Sequence, residues 1–192
     1  MIKPMFKKGL QFGKWKLNEF IDAGGNGEVW KAVSIEDASH FIAIKLLKRI
    51  KKEGYLRFRD EVKVVTENSD IPGLLQIIDQ YLPENPKNDT PWYAMPLAKP
   101  LKDYLEKKSP EQIIDTIILV SNILSKLHAR GISHRDIKPA NILVKDELIY
   151  LGDFGLVDYP GKEDITLRWR DVGPRWTIAP EMQRNPDKAD GN

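Results

Sequence analysis

The feature that most limits how this chain can fold is a change of hydrophobic period part-way along it. Over the first half apolar residues alternate with polar ones, and over the second they recur at near 3.6 residues. Segments 15–21, 28–34 and 41–47 are rich in aromatic and branched side chains and read as strands. "AGGNG" joins the first two, and its Asn26-Gly27 pair is a hairpin-turn signal. Segment 55–68 reads as a helix, and 75–82 and 92–97 read as strands across the polar loop "PENPKNDT". The expectation is a five-stranded antiparallel unit with one helix.

Beyond Ala98 the pattern is mainly helical, with a short helix over 101–107 and a long one opening on "SPEQ". There Ser109 can cap, Pro110 suits the first helical position and Gln112 can close a capping box. Ile113, Ile117, Val120, Leu124 and Leu127 repeat at alternating gaps of four and three, which predicts one buried stripe. Gly131 then ends the helix as a left-handed cap. Two short strands, 142–144 and 148–151, flank the turn "KDE". The class is α+β, with residues 1–14 as a solvated basic lead-in, 15–98 as a strand-rich lobe and 99–192 as a mainly helical one.

Composition excludes several classes. With 41% hydrophobic and 30% charged residues the chain is globular rather than disordered. The longest uncharged apolar run, 116–125, is bounded by Asp115 and Lys126 and is too short for a bilayer. The lysines at the start lack the continuous apolar core of a secretory signal, so no such signal is expected. Zero cysteines exclude disulfide and thiolate chemistry and favour a cytoplasmic setting. A net charge of +2 gives no ground for a nucleic-acid partner.

Four constellations carry candidate chemistry. In "IDAGGNGEVWKA" the glycines Gly24, Gly25 and Gly27 around Asn26 would let backbone N–H groups approach phosphate oxygens, although an ordinary tight hairpin has the same signature. Lys45 in "FIAIKLL" is a lone cation in an apolar strand and should face a carboxylate or a phosphate. Glu61 is the natural partner, because it shares a helix face with Phe58 and Val65; Asp60 and Glu67 are alternatives. "HRDIKPANIL" brings together a carboxylate for a hydroxyl proton (Asp136), a cation for phosphate charge (Lys138) and an amide oxygen for a metal (Asn141). In "GDFGL", Asp153 can hold Mg²⁺ while Gly152 and Gly155 permit a sharp reversal, although an aspartate among glycines is also an ordinary turn.

These residues together resemble the eukaryotic-type (Hanks-type) serine/threonine protein kinases. The glycine flap at 22–29, "AIK" at 43–45, "HRDIKPAN" at 134–141, "DFG" at 153–155 and "APE" at 179–181 occur in that family's order. The resemblance implies a protein-kinase-like two-lobe fold and an ATP- and Mg²⁺-dependent enzyme that phosphorylates serine or threonine hydroxyls of a protein. It implies that Lys45 meets the α- and β-phosphates and is held by Glu61, and that Asp136 positions the substrate hydroxyl. Lys138 would approach the γ-phosphate, and Asn141 and Asp153 would bind magnesium. Ile21, Val29, Ala43 and Leu143 would sandwich the adenine. Met95 falls at the gatekeeper position, with Pro96, Leu97 and Ala98 as the hinge. Arg135 resembles the arginines that grip a phosphate on the activation segment, and Thr166 is the phosphosite expected there, which mass mapping of the active protein checks.

The sequence departs from the family pattern in three places. Asp22 opens the glycine flap, which is expected to weaken ATP affinity. Pro174 and Thr177 in "GPRWTIAPE" replace a threonine and a tyrosine, which affects peptide preference more than phosphoryl transfer. Eleven residues follow Glu181 where the family continues with further helices, so the expectation is an incomplete catalytic domain. A non-catalytic nucleotide- or partner-binding module of truncated kinase fold is the alternative reading. A small-molecule phosphotransferase is the third, and "HRDIKP" with "APE" argues against it.

Overall fold

The computed structural model describes residues 3–24, 27–48, 51–106 and 108–162. Gly25, Asn26, Thr166, Pro174, Thr177 and the Ala179-Pro180-Glu181 motif lie outside them. The chain divides into two compact units, Met1–Val62 with Gln76–Leu97, and Lys63–Leu75 with Ala98–Asn192.

The first unit is built on an antiparallel sheet of β1 (Gln11–Phe12), β2 (Trp15–Ala23), β3 (Gly27–Ser34), β4 (Phe41–Leu47), β5 (Asp79–Tyr81) and β6 (Trp92–Pro96), in the order β1-β2-β3-β4-β6-β5. Helix α1 (Lys52–Glu67) contributes Tyr55, Phe58 and Val62 to a core with Leu47 and Tyr93. Because side chains alternate, register sorts them onto two faces. Glu28 is opposite Leu46, Trp30 opposite Ile44 and Ala32 opposite Ile42, and this face buries Trp15, Leu17 and Trp92 as well. Val29 is opposite Lys45, and Lys45 is opposite Tyr93, on the other face.

Six strands replace the five expected. The added strand, β1, comes from the segment read as a solvated lead-in. Gln11 pairs with Lys16 and Phe12 with Trp15, across a turn in which Gly13 takes φ +55°. Phe6 is buried in the same cluster and meets Phe12 edge to face, with ring centroids 5.7 Å apart. The carboxylate of Glu28 accepts from the N–H groups of Met5 (2.6 Å) and Phe6 (3.3 Å) and from the Trp30 indole (3.0 Å). Such a buried carboxylate is tolerated because donors surround it.

The strand expected over 75–82 shortens to β5. Leu74 and Leu75 serve the second unit instead: Leu74 bridges to Leu151, and the Leu75 N–H donates to the Leu151 carbonyl at 3.0 Å. The expected strand counted Leu75 in its periodicity, whereas Leu75 belongs to another core.

In the second unit β7 (Lys99–Pro100), β8 (Ile142–Lys145) and β9 (Leu148–Leu151) form a small sheet beside α2 (Leu101–Leu105) and α3 (Pro110–His128). The α3 start is the capping box read from the sequence: the Gln112 N–H donates to Ser109 Oγ and the Ser109 N–H to Gln112 Oε1. Gly131, at φ +71°, closes the exit.

The buried face of α3 differs from the expected stripe. Thr116, Val120, Ile123 and Leu127 are buried, Ile113 and Leu124 are half-buried, and Ile117 is 60% exposed. Apolar residues run most of the way round this helix, so periodicity alone leaves its orientation open. Thr116 joins the buried face because its hydroxyl donates to the Gln112 carbonyl. Ile123 packs against Gly73, where a Cβ would lie 2.4 Å from Ile123 Cδ1 and φ is +99°. Asp146 and Glu147, at φ +50° and +61°, make the tight turn between β8 and β9. Among the described residues no helix is long and apolar enough to cross a membrane.

Replacing Glu28 with alanine strands two backbone donors and an indole N–H in the first unit. The expected loss is about 2 kcal/mol of unfolding free energy, read as a lower denaturation midpoint. A midpoint equal to wild type would mean that residues 5–6 are not held there.

Candidate active site

Strand β4 lies between β3 and β6, and Lys45 projects from one face of that sheet. Its ammonium lies 2.8 Å from both carboxylate oxygens of Glu61, and the two side chains are 13% and 3% exposed. Asp60 and Glu67, the alternative partners, do not take this place. Tyr93 donates its hydroxyl to Glu61 Oε1 at 2.7 Å, and its ring lies 5.7 Å from the Lys45 ammonium. Phe58, one turn before Glu61, packs on the same ring with centroids 5.2 Å apart. The motif reading missed Tyr93, whose signal was its position two residues before Met95 on an alternating strand.

The same sheet face carries Val29 and Ala43, with Ala43 paired to Met95. Ile21 lies in a bulge of β2 between Phe20 and Asp22 and is largely exposed. The two described glycines of the flap do different work. A Cβ on Gly27 would meet the Leu46 carbonyl at 2.9 Å, so packing against β4 demands that glycine. At Gly24 an added Cβ would meet no described atom within 4 Å, and its N–H donates to the Gly27 carbonyl at 3.0 Å. Leu97 is half-buried in the first unit.

In the second unit the groups of "HRDIKPAN" converge on Asp136, whose side chain is 10% exposed. Lys138 Nζ and Asn141 Nδ2 each lie 2.8 Å from Asp136 Oδ2, and Asn141 Nδ2 also donates to the Asp136 carbonyl at 2.8 Å. Asn141 holds this position because its carbonyl accepts from the Gly152 N–H at 2.9 Å. Leu143 pairs with Pro100 and Tyr150 and packs under Gly152, where a Cβ would meet its Cδ1 at 3.0 Å.

The reversal at "GDFG" differs from the expectation. Asp153 itself takes the left-handed conformation, at φ +57°, whereas Gly152 and Gly155 supply space. A Cβ on Gly155 would lie 3.3 Å from Asp153 Oδ1. A non-glycine residue held at positive φ signals a backbone over-determined by its surroundings. Phe154, fully buried, provides that anchor with its ring 4.5 Å from His134.

His134 was not singled out from the sequence, yet it organises the cluster. Its Nε2 lies 3.1 Å from the Gly152 carbonyl, so Nε2 must carry the proton. Its Nδ1 accepts from the Asp136 N–H at 3.3 Å, so that nitrogen must be bare. The neutral ring therefore satisfies both neighbours, and burial, the largest cause, pushes its pKa below the ordinary histidine value.

The donor set fits a divalent cation shared with a phosphate. Asn141 commits its N–H₂ to Asp136, so its amide oxygen is what it offers a metal, and the Asp153 carboxylate is exposed. Among the described residues no three histidine, cysteine, aspartate or glutamate side chains gather as a metal cage. Magnesium commonly takes one or two protein oxygens and completes its shell with phosphate and water.

A pH test follows from His134. Its folded pKa lies below the unfolded one, so the unfolded chain takes up the proton first as pH falls. Its contribution to stability is complete above about pH 6.5 and is lost as pH falls through the lowered folded value. The denaturation midpoint of wild type should drop more steeply than that of His134→Gln across this window. Parallel pH profiles would contradict the assignment.

Comparison with known proteins identifies the family of this chain. The family described as "Protein kinase domain" matches residues 15–190. The serine/threonine-protein kinase PknA of Mycobacterium tuberculosis (strain ATCC 25177 / H37Ra) is 29% identical over 185 residues, covering 91% of this chain and 42% of that protein. The serine/threonine-protein kinase PknE of the same strain is 28% identical over 197 residues, covering 91% of this chain and 31% of that protein. The chain thus spans less than half the length of either relative. The chain belongs to the protein kinase family, and residues 15–190 are a Hanks-type catalytic-domain sequence similar to those of serine/threonine kinases.

Proposed function

We propose that this chain transfers the γ-phosphoryl group of ATP to serine or threonine hydroxyls of a protein substrate, with magnesium as cofactor. The observation that carries the reading is the convergence of Lys138 and Asn141 on one oxygen of Asp136. Both donors meet Oδ2, so Oδ1 is the oxygen to which an incoming hydroxyl would donate. Asp136 takes the hydroxyl proton as the oxygen attacks phosphorus, and the β–γ bridging bond of ATP breaks to leave ADP. Lys138 offsets charge on the transferring group, and Lys45, oriented by Glu61, meets the α- and β-phosphates.

Magnesium, when bound, neutralises phosphate charge, and Asn141 and Asp153 would hold it. Ile21, Val29, Ala43, Met95, Leu97 and Leu143 would line the adenine position. Gly24, Gly25, Asn26 and Gly27 would let the flap backbone come close to the phosphates. "DIKP" at 136–139 and the printed names of the relatives favour hydroxyls of serine and threonine over tyrosine. The lack of cysteine supports a cytoplasmic setting for this domain.

Incubation with γ-labelled ATP, Mg²⁺ and a degenerate peptide library tests this. The expected products are phosphoserine and phosphothreonine, and Asp136→Asn should lower kcat by about 10²- to 10⁴-fold with little change in the KM for ATP. No transfer by wild type, or transfer by Asp136→Asn at the wild-type rate, would overturn the proposal.

A further inference from the structure

Residues 5–12 precede the stretch matched to the protein kinase family, which begins at residue 15, yet they are bonded to the β2–β3 hairpin at both of their ends. At one end the Gly9 N–H donates to the Leu17 carbonyl and the Leu17 N–H to the Leu10 carbonyl, both at 2.8 Å, and Gln11 and Phe12 then pair with Lys16 and Trp15. At the other end the successive N–H groups of Met5 and Phe6 meet the two carboxylate oxygens of buried Glu28, which also accepts from the Trp30 indole. A carboxylate gripped by adjacent backbone donors is a charge-assisted fixture. Phe6 anchors it, because its ring is buried in one cluster with Trp30 while Phe12 and Phe20 pack on the same cluster. Residues 5–12 thus lie as a strap along the hairpin.

The point of grip gives the strap leverage on the glycine flap. Glu28 pairs with Ala23, the last pair of β2 and β3 before the turn, and the Gly24 N–H closes that turn on the Gly27 carbonyl at 3.0 Å. Glu28 is held from one face of the sheet, and Val29, next along β3, lies on the face of Lys45. The ladder itself is irregular here, since the bulge between Phe20 and Asp22 takes Ile21 out of register with β3. A hairpin end with a skipped pair opens more readily unless something outside the ladder holds it.

We propose that residues 5–12 hold the flap end of the β2–β3 hairpin through Glu28, a positioning residue, so that nucleotide affinity depends on this segment. That the flap covers a nucleotide rests on the phosphoryl-transfer reading above; that the strap holds the flap does not.

Two measurements on the full chain and four variants test this. Glu28→Gln keeps the shape of the side chain and replaces one acceptor oxygen with an N–H₂. Phe6→Ala removes the apolar anchor, and Phe6→Leu keeps one. Ile44→Val trims the same cluster from β4 without removing a bond of the strap. The first measurement is amide hydrogen exchange followed by mass spectrometry. Exchange over residues 20–30 should be at least about tenfold faster in Glu28→Gln and Phe6→Ala, with residues 41–47 and 92–96 within about twofold of wild type. Phe6→Leu should recover most of the protection. Unchanged exchange over 20–30, equal acceleration of all three segments, or a gain confined to 20–30 in Ile44→Val would overturn the strap.

The second measurement titrates each protein with a non-hydrolysable ATP analogue and Mg²⁺. The Kd should rise about fivefold in Glu28→Gln and Phe6→Ala and stay within about twofold of wild type in Phe6→Leu and Ile44→Val. Equal affinities in all five proteins would overturn the dependence of binding on the strap. No binding by a folded wild type would defeat the phosphoryl-transfer reading instead, and the exchange rates then decide the strap separately.

Discussion

An ammonium group in the middle of an apolar central strand constrains this structure more than any other single group. Glu61 meets Lys45 there with both carboxylate oxygens, which offsets the lost hydration of the ammonium. That pairing fixes the rotation of α1, since Glu61 must point inward together with Phe58 and Val62. It also recruits Tyr93, whose hydroxyl satisfies one Glu61 oxygen while its ring packs on Phe58. Removing either member of the ion pair would take from the other its opposite charge at 2.8 Å, at a typical cost of about 3–5 kcal/mol. Such an arrangement is weak evidence of stabilisation and stronger evidence that the ammonium is kept for something that needs it.

The second unit fixes its carboxylate with one cation and several neutral groups. Its candidate carboxylate, Asp136, is fixed by donors on Lys138 and Asn141; the Gly152 N–H holds Asn141 in turn, and the His134 ring links the Asp136 N–H to the Gly152 carbonyl. Every bond in that sequence sets the orientation of the next. The left-handed residues Arg135 and Asp153 flank this network, where tight local bonding can hold strained backbone. Preorganisation of this kind lets charge develop on a transferring group without first rearranging the site.

Much of this was legible in the sequence because the informative residues violate the pattern around them. A lysine in an apolar strand, an aspartate among glycines and "SPEQ" before a periodic run each have few physical solutions. The ends of β4 and the capping box of α3 were read directly. What escaped was non-local or short. β1 has only two residues, too few for a period to register. Glu28 carries no motif signal, and its burial depends on the N-terminal segment whose Met5 and Phe6 N–H groups donate to it. The orientation of α3 was ambiguous because its apolar residues spread round the helix, and Gly73 decided it from outside. His134 and Tyr93 act on other residues rather than as motif chemistry.

The central claim is that Lys45 is kept buried to hold nucleotide phosphates. The most direct measurement is an equilibrium titration of wild type and Lys45→Met with a non-hydrolysable ATP analogue and Mg²⁺, with folding of both checked by circular dichroism. The account predicts saturable binding by wild type and an affinity at least about tenfold weaker in the variant, the equivalent of about 1.4 kcal/mol. Equal affinities, or no binding by a folded wild type, would contradict it.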